Sequence, residues 1–393
     1  MSWKEISCLA KRLQFVKLAL KAQQSMSQLC RAFRISRKTG YQWKARFERE
    51  GLRGLRDRSS RPHRCPGQTS AVWVKRIRRI RRRHRSWGSR KLAARLRTVY
   101  GTKGSPAART IGDWLKRMGL NRVRRRRSRR GPEFNRDGLT RSVRSNQVWT
   151  VDFKGWFRTG DGQRIEPLTV RDLFSRYLLV VCLLKDQGWR PVRRVFIRLF
   201  RQYGYPDIIR VDNGQPFGST GALGLSRLSA WWTALGIRVQ FIAPGHPQQN
   251  GAHEQMHRIL KAETTRPVSP NRRSQQRRTN RWSRTYNQVR PHQGLAQRPP
   301  AEIYRPKPSQ PRVIAMSYPK GWQVRHVRSN GEIKWLGRKR FIGEPFVGYP
   351  VGLKRQGGVG WKVRFAQLLI GELWDCDAGG MRPSRYARKS RSF

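Results

Sequence analysis

The segment Tyr177–Leu184, YLLVVCLL, most restricts what this chain can become. A strand so apolar has no face to offer water, so its sheet must be covered on both sides. The chain around it is far from apolar. Lys and Arg total 87 against 22 Asp and Glu, a formal net charge of +65. The residues flanking the apolar run settle its context. Gln147–Phe153 and Ile165–Val170 read as strands before it, and Pro191–Tyr203 as a helix after it. A short strand Ile208–Val211, a helix Ser226–Leu235, a strand Ile237–Ile242 and a helix from Gly251 to about Lys261 follow. A meander of three strands that then alternates with helices predicts an α/β domain over 145–308, with a mixed five-stranded sheet and flanking helices.

The regions on either side read differently, so the chain is multidomain. Residues 1–60 carry three short α-helices. Leu13, Val16, Leu18 and Leu20 open an apolar stripe, Met26–Phe33 gives a second helix, and Ser36 is placed to cap a third. Leu29, Phe33, Ile35 and Trp43 would turn inward, leaving Arg37, Lys38, Gln42 and Lys44 outward, with Thr39 and Tyr41 on the same helix. That arrangement is helix-turn-helix, with the last helix suited to a DNA major groove. A linker rich in Gly, Pro and Arg covers 61–69. Residues 70–122 repeat the pattern as a second helix-turn-helix, with Arg109, Thr110 and Lys116 outward. An Arg-rich connector, 123–144, includes Arg124, Arg125 and Arg126 and reads as a tracker of phosphates. After the α/β domain, the Asn330-Gly331 hairpin signal and a series of short strands predict a small β-barrel over 309–378, with a disordered basic tail at 379–393.

A charge of +65 repels itself unless a polyanion neutralises it, which points to double-stranded DNA as partner. No stretch approaches the ~20 apolar residues that span a bilayer, so no membrane partner is expected. MSWKEISCLAKRLQF lacks the apolar core of a signal peptide. Cys8, Cys30, Cys65, Cys182 and Cys376 are scattered without a C-x-x-C pair, against a disulfide framework or a Cys-rich zinc module. The expectation is a cytoplasmic, nucleoid-associated protein.

Three carboxylates stand out in a chain so poor in acid. Asp152 sits inside the strand Val148–Phe153, where Asp is normally excluded. Asp212 ends the strand Ile208–Val211, and strand ends are where α/β sites assemble. Glu254 lies on the helix after the loop 243–250. Each alone has an ordinary explanation, a turn for Asp212-Asn213-Gly214 or a satisfied core group for Asp152. Clustered acids persist around a cation, and hard oxygen ligands select Mg²⁺, with Mn²⁺ as substitute. Two such ions support in-line phosphoryl transfer.

Trp149–Asp152, Val211–Phe217 and Pro244–Glu254, followed by Tyr286–Leu295 and Pro299–Glu302, together resemble the bacterial insertion-sequence transposases with an integrase (ribonuclease H-like) core, relatives of the retroviral integrases. The helix-turn-helix modules and the C-terminal barrel (SH3-like in that group) extend the likeness over nearly the whole chain. The resemblance implies that Asp152, Asp212 and Glu254 hold two Mg²⁺ ions, and that the enzyme joins the 3′ ends of a mobile element to target DNA. It implies DNA contacts by Arg258 and Lys261, which share one face of the Glu254 helix, and an active-site loop shaped by Asn213, His246, Gln249 and Asn250. Joining two ends at once implies a homo-oligomer on DNA. Asp212 and Glu254 stand 42 residues apart, more than in the retroviral relatives. A DNA-binding regulator without catalysis and a basic RNA-binding protein are the other readings open to this composition.

Overall fold

Serines start two of the three helices in the first of two units, residues 1–68. The computed structural model describes residues 8–59, 67–121, 138–243, 249, 251–306, 316–384 and 391–392. Helix α1 is Cys8–Lys21, α2 Met26–Ala32 and α3 Arg37–Glu50. The Ser25 hydroxyl accepts from the Gln28 N–H while the Gln28 side chain returns to the Ser25 N–H, a capping box. Ser36 caps α3 by accepting from Thr39 N–H at 3.1 Å. Phe15, Val16, Leu29, Cys30 and Leu55 form the core, with Phe33, Ile35 and Trp43 packed against it. Gly40 of α3 leaves room for its neighbours in this core: a Cβ there would stand 2.5 Å from Cys30 Sγ.

The second unit, residues 69–393, begins with α4 Ala71–Arg83, α5 Ser89–Tyr100 and α6 Ala108–Arg117 around Ile77, Trp87, Leu92, Leu96, Ile111 and Leu115. Arg81 is buried and donates to the carbonyls of Trp87 and Leu120, which fixes both ends of the trio.

The α/β region follows: β1 Val148–Phe153, β2 Phe157–Arg158, β3 Arg164–Asp172, β4 Leu178–Leu184, α7 Trp189–Tyr203, β5 Ile208–Val211, α8 Arg227–Ala234, β6 Arg238–Phe241, α9 Gly251–Thr264, α10 Arg272–Gln288 and α11 Pro300–Ile303. Strands β1, β3 and β4 pair antiparallel, while β1, β5 and β6 run parallel, so the sheet is mixed as expected. The apolar run is β4, which among the described residues pairs only with β3 and is buried on its faces rather than by a second neighbour. Parallel strands β1 and β5 bring Asp152 and Asp212 toward the same end of the sheet.

Helix α10 is polar for an element that closes a core, and hydrogen bonding explains its docking. Asn287 accepts from Leu178 N–H and donates to Leu178 C=O, at 2.9 and 2.8 Å. Gln276 accepts from Leu183 N–H and donates to Val181 C=O, each at 2.8 Å. Side-chain amides thus occupy the outer edge of β4, which would otherwise template another strand. Trp282 and Tyr286 complete the contact with Met256 and Leu260 of α9.

One carboxylate ties the second helical trio to this region. Glu263 accepts from Trp282 Nε1 at 2.7 Å, pairs with buried Arg290 at 3.3 Å and accepts from the Ser86 hydroxyl. Glu263→Gln is expected to lose about 1–3 kcal/mol in urea denaturation, because Arg290 is left buried without its counter-charge. A loss below about 0.5 kcal/mol would show the junction to be held elsewhere.

The C-terminal region corrects two expectations. Its strands are β7 Gln323–His326, β8 Glu332–Trp335, β9 Arg338–Phe341, β10 Pro350–Gln356, β11 Gly360–Phe365, β12 Leu368–Trp374 and β13 Arg382–Pro383. Among the described residues they do not close into a barrel. They form an open sheet in the order β13-β12-β11-β10-β7 beside a separate β8-β9 hairpin. That hairpin turns at Leu336-Gly337, both at positive φ, and the Asn330-Gly331 turn precedes it. The expected disordered tail contributes β13 to this sheet, while β14, Arg391–Ser392, extends the α/β sheet beside β6. The α/β sheet therefore gains two short strands, β2 and β14, beyond the five foreseen. The α/β region and the C-terminal strands pack together: Trp149, Phe196 and Trp232 share one apolar cluster with Trp335, Phe346 and Phe365.

Candidate active site

Strand β1, central in the sheet, carries Asp152 near its C-terminal end, where the side chain keeps a fifth of its exposure. Burial first, then the charge of Asp212, push its carboxyl up to about 7, and Glu254 acts in the same direction. Asp212, one residue past β5, is also raised by burial, opposed by the Gly214 N–H that it accepts at 3.3 Å. Glu254 is exposed in the first turn of α9. The three carboxylates are thus electrostatically coupled through Asp152. Among the described residues, no three His, Cys, Asp or Glu side chains close into a ready-made metal cluster.

Other buried acids show what a structural carboxylate looks like here. Asp172 is fully buried on β3, yet accepts from Asn146 N–H, Ser175 N–H and the Ser175 hydroxyl at 2.6–2.8 Å. Glu166 pairs with Arg164 and accepts from Gln187. Asp172 would satisfy the rule that Asp does not belong in strands as well as Asp152 does. What separates them is like charge around Asp152 and N–H and O–H donors around Asp172.

The loop residues sort by partner. Asn213 donates to Ile242 C=O at 2.7 Å, which pins the turn after β5 to the end of β6. Gln249 accepts from Ala243 N–H at 2.8 Å and closes the base of the loop before α9. His246 and Asn250 lie outside the described residues, as do Arg124, Arg125 and Arg126. Ser226 caps α8 and donates to Pro216 and Phe217 carbonyls, so the segment after Asp212 is held from below.

Of the expected DNA contacts, Arg37, Lys38, Tyr41 and Gln42 are exposed on α3, while Thr39 and Lys44 are half-buried. Thr39 bonds the Ser36 hydroxyl and Lys44 faces Glu48 at 3.9 Å. Arg109 and Lys116 are exposed and Thr110 half-buried on α6. Arg258 and Lys261 are exposed on α9.

Four residues near the carboxylates escaped sequence reasoning. Lys154, two positions beyond Asp152, is lowered by burial and then by the charge of Lys261. His253 and His257 flank Glu254 on α9, and both bond the hydroxyl of Thr169 on β3. Burial holds His257 neutral, down to about 3. The spacing of two His at i and i+4 around a candidate ligand, in a chain with only seven His, was the available signal. The motif Tyr286–Leu295 proves to carry fold: Asn287 holds β4, Arg290 meets Glu263, and Gly294 leaves room for the Arg176 guanidinium, 2.0 Å from where a Cβ would sit.

The chain matches the integrase core domain family over residues 142–247 and again over 235–300. It matches a helix-turn-helix domain over 11–63 and a homeodomain-like domain over 39–115. It is 30% identical over 182 residues to the 31.7 kDa protein of insertion element IS407 from Burkholderia multivorans, covering 46% of this chain and 63% of that one. It is 31% identical over 183 residues to the 39.2 kDa protein of insertion element IS476 from Xanthomonas euvesicatoria, covering 46% and 51%. The chain therefore carries an integrase core domain behind helix-turn-helix modules, and it is similar to proteins of bacterial insertion elements. Its matches span roughly half to just under two thirds of these relatives' own length. The HTLV-2 integrase catalytic core domain, solved with magnesium, aligns at 18% identity with a TM-score of 0.34, covering 42% of this chain and all of that one. At that score the likeness decides nothing about this integrase-like site. Among the described residues no helix is long and apolar enough to cross a membrane.

Proposed function

We propose that this protein is a DNA transposase: it binds the ends of a mobile element and joins them to target DNA. The observation that carries this reading is the coupling of Asp152 to Asp212 and Glu254 on an integrase-like core. A carboxyl pushed up to about 7 by burial and by its own kind is a site built for added positive charge. Oxygen donors alone make up the set, which fits Mg²⁺ and admits Mn²⁺. Asp152, Asp212 and Glu254 would hold two such ions. Divalent cations held there would supply activation of a 3′-hydroxyl or water and stabilisation of the leaving oxygen of a phosphodiester. The protein's own work is positioning. Parallel strands fix Asp152 and Asp212, Asn213 and Gln249 hold the adjoining loops, and α9 presents Glu254.

The DNA contacts follow from exposure. Helix α3 offers Arg37, Lys38, Tyr41 and Gln42 to a groove, with Thr39 and Lys44 beside them. Helix α6 offers Arg109 and Lys116 around Thr110. Arg258 and Lys261 suit the phosphates of the bound end, and Lys154 joins Lys261 there, since the two ammonium groups repel until an anion lies between them. Lys261→Ala is expected to reduce the slope of log binding constant against log salt by about one. An unchanged slope would remove Lys261 from the interface. Joining two ends calls for at least two copies of the chain on DNA.

The reading is tested by supplying DNA that flanks the coding region, cut at candidate ends, together with a plasmid target. Joined product in Mg²⁺ and none in EDTA supports it. DNA binding with no joining for any candidate end in Mg²⁺ or Mn²⁺ favours the regulator instead.

A further inference from the structure

The hydroxyl of Thr169 sits behind the carboxylates with every hydrogen-bonding position used. In the β1–β3 ladder Thr169 lies directly opposite Asp152, so both side chains rise from the same face of the sheet. Its Oγ1 donates to the Asp152 carbonyl at 2.9 Å. Its Oγ1 also stands 2.6 Å from His253 Nε2 and 2.7 Å from His257 Nε2. A hydroxyl has one proton and two lone pairs. With the proton given to Asp152 C=O, both imidazoles must donate, which places a hydrogen on Nε2 of each. His253 Nδ1 is then an acceptor, matched by the Thr150 hydroxyl at 3.0 Å. His257 turns its Nδ1 toward Asp152 Oδ2 at 3.9 Å. His253 and His257 are four residues apart, on one face of α9, and Glu254 is next to the first of them.

Two bonds to one oxygen fix both the rotation and the axial position of a helix on a sheet. A single contact would leave α9 free to roll, and apolar contact through Met256 and Leu260 leaves sliding inexpensive by comparison. The same oxygen holds the backbone of Asp152. We propose that Thr169, with His253 and His257, is a positioning residue that sets where Glu254 stands relative to Asp152, and so how tightly the carboxylates take a divalent cation. The inference rests on the proposed role of those carboxylates, and it is independent of which DNA end the protein reads.

The test uses the full-length protein and Mn²⁺ as probe, with binding followed by calorimetry and by the loss of the free-ion electron paramagnetic resonance signal. Thr169→Val keeps the shape and removes the hydroxyl; Thr169→Ser keeps the hydroxyl. His257→Leu removes one donor, while His257→Gln keeps an N–H near the place of Nε2. Thr169→Val and His257→Leu are expected to weaken Mn²⁺ binding about 10–100-fold, the usual scale for groups that orient ligands. Thr169→Ser and His257→Gln are expected within about threefold of the parent, a residual well below that scale. Because Thr169 is fully buried, its valine variant can fail to fold, which melting followed by circular dichroism will show. The His257 pair then decides, since Thr169 keeps its bond to His253. Variants that melt earlier yet bind Mn²⁺ like the parent would overturn the inference and leave a purely structural cluster. A folded parent protein that binds no Mn²⁺ would overturn the carboxylate reading itself, and this inference with it.

Discussion

Asp152→Asn raises the stability of the metal-free protein at pH 8 and lowers DNA joining by orders of magnitude. The first half follows from linkage. The Asp152 carboxyl is pushed from 3.8 up to about 7 in the folded chain, by burial and by Asp212 and Glu254. Between those values the folded state binds a proton that the unfolded state has released. Stability therefore declines as pH rises from about 4 through about 7, and at pH 8 the whole penalty is present. Asn is neutral and carries none of it, so a gain of about 4 kcal/mol, the free energy of raising a carboxyl from 3.8 to about 7, is expected at pH 8 in EDTA, vanishing near pH 4. Urea denaturation at the two pH values measures it. An Asn variant no more stable than the parent at pH 8 would contradict the charge environment described for the site. The second half is larger in consequence, with joining falling by about 10²–10³-fold or more at equal DNA occupancy, as for other groups that act on developing charge. A site that gains stability when its chemistry is removed is the usual mark of a functional carboxylate.

Trp232→Ala costs about 3–5 kcal/mol, the range for emptying a large core site. Trp232 is fully buried on α8, with Phe196 at 4.8 Å and Phe217 at 6.2 Å between ring centroids. Phe217 ends the segment that begins at Asp212, so the cavity opens beneath the active-site turn. Trp232→Phe is expected to cost less than half as much, because the indole Nε1 makes no hydrogen bond among the described residues and its loss leaves nothing unsatisfied. Chemical denaturation of the two variants checks the pair. An alanine variant within 1 kcal/mol of the parent would mean that α8 packs loosely, against its burial.

The α/β region was legible because its strands are short, apolar and separated by helices of clear period. Val148–Phe153, Leu178–Leu184 and Ile208–Val211 fall within a residue or so of where composition placed them. Asp152 and Asp212 were legible for the same reason, being charged where the pattern demanded otherwise. Helix α10 was harder to read. Its buried face is Gln275, Thr279 and Asn287 beside Trp282 and Tyr286, and no hydrophobic period announces a helix that docks by hydrogen-bonding a strand edge. The barrel failed for a different reason. Short alternating strands specify pairing but not closure, and whether a sheet bends round on itself depends on contacts distant in sequence. The tail was misread because basic residues suit a solvated end equally well as a sheet edge, and only pairing with β12 and β6 distinguishes them. Thr169 was invisible for a related reason. A threonine in a strand is ordinary, and its role appears only when two histidines more than eighty residues away arrive at its hydroxyl.

The decisive experiment compares the parent protein with Glu254→Gln in joining a labelled, pre-cut element end to plasmid DNA, at matched DNA occupancy, in Mg²⁺ and in EDTA. Glu254 is exposed at the start of α9, so glutamine there leaves the fold undisturbed and removes only the charge. Joined product from the parent in Mg²⁺, absent in EDTA and absent from the variant, is what a carboxylate triad predicts. Equal joining by parent and variant would contradict the triad and move the chemistry to other residues.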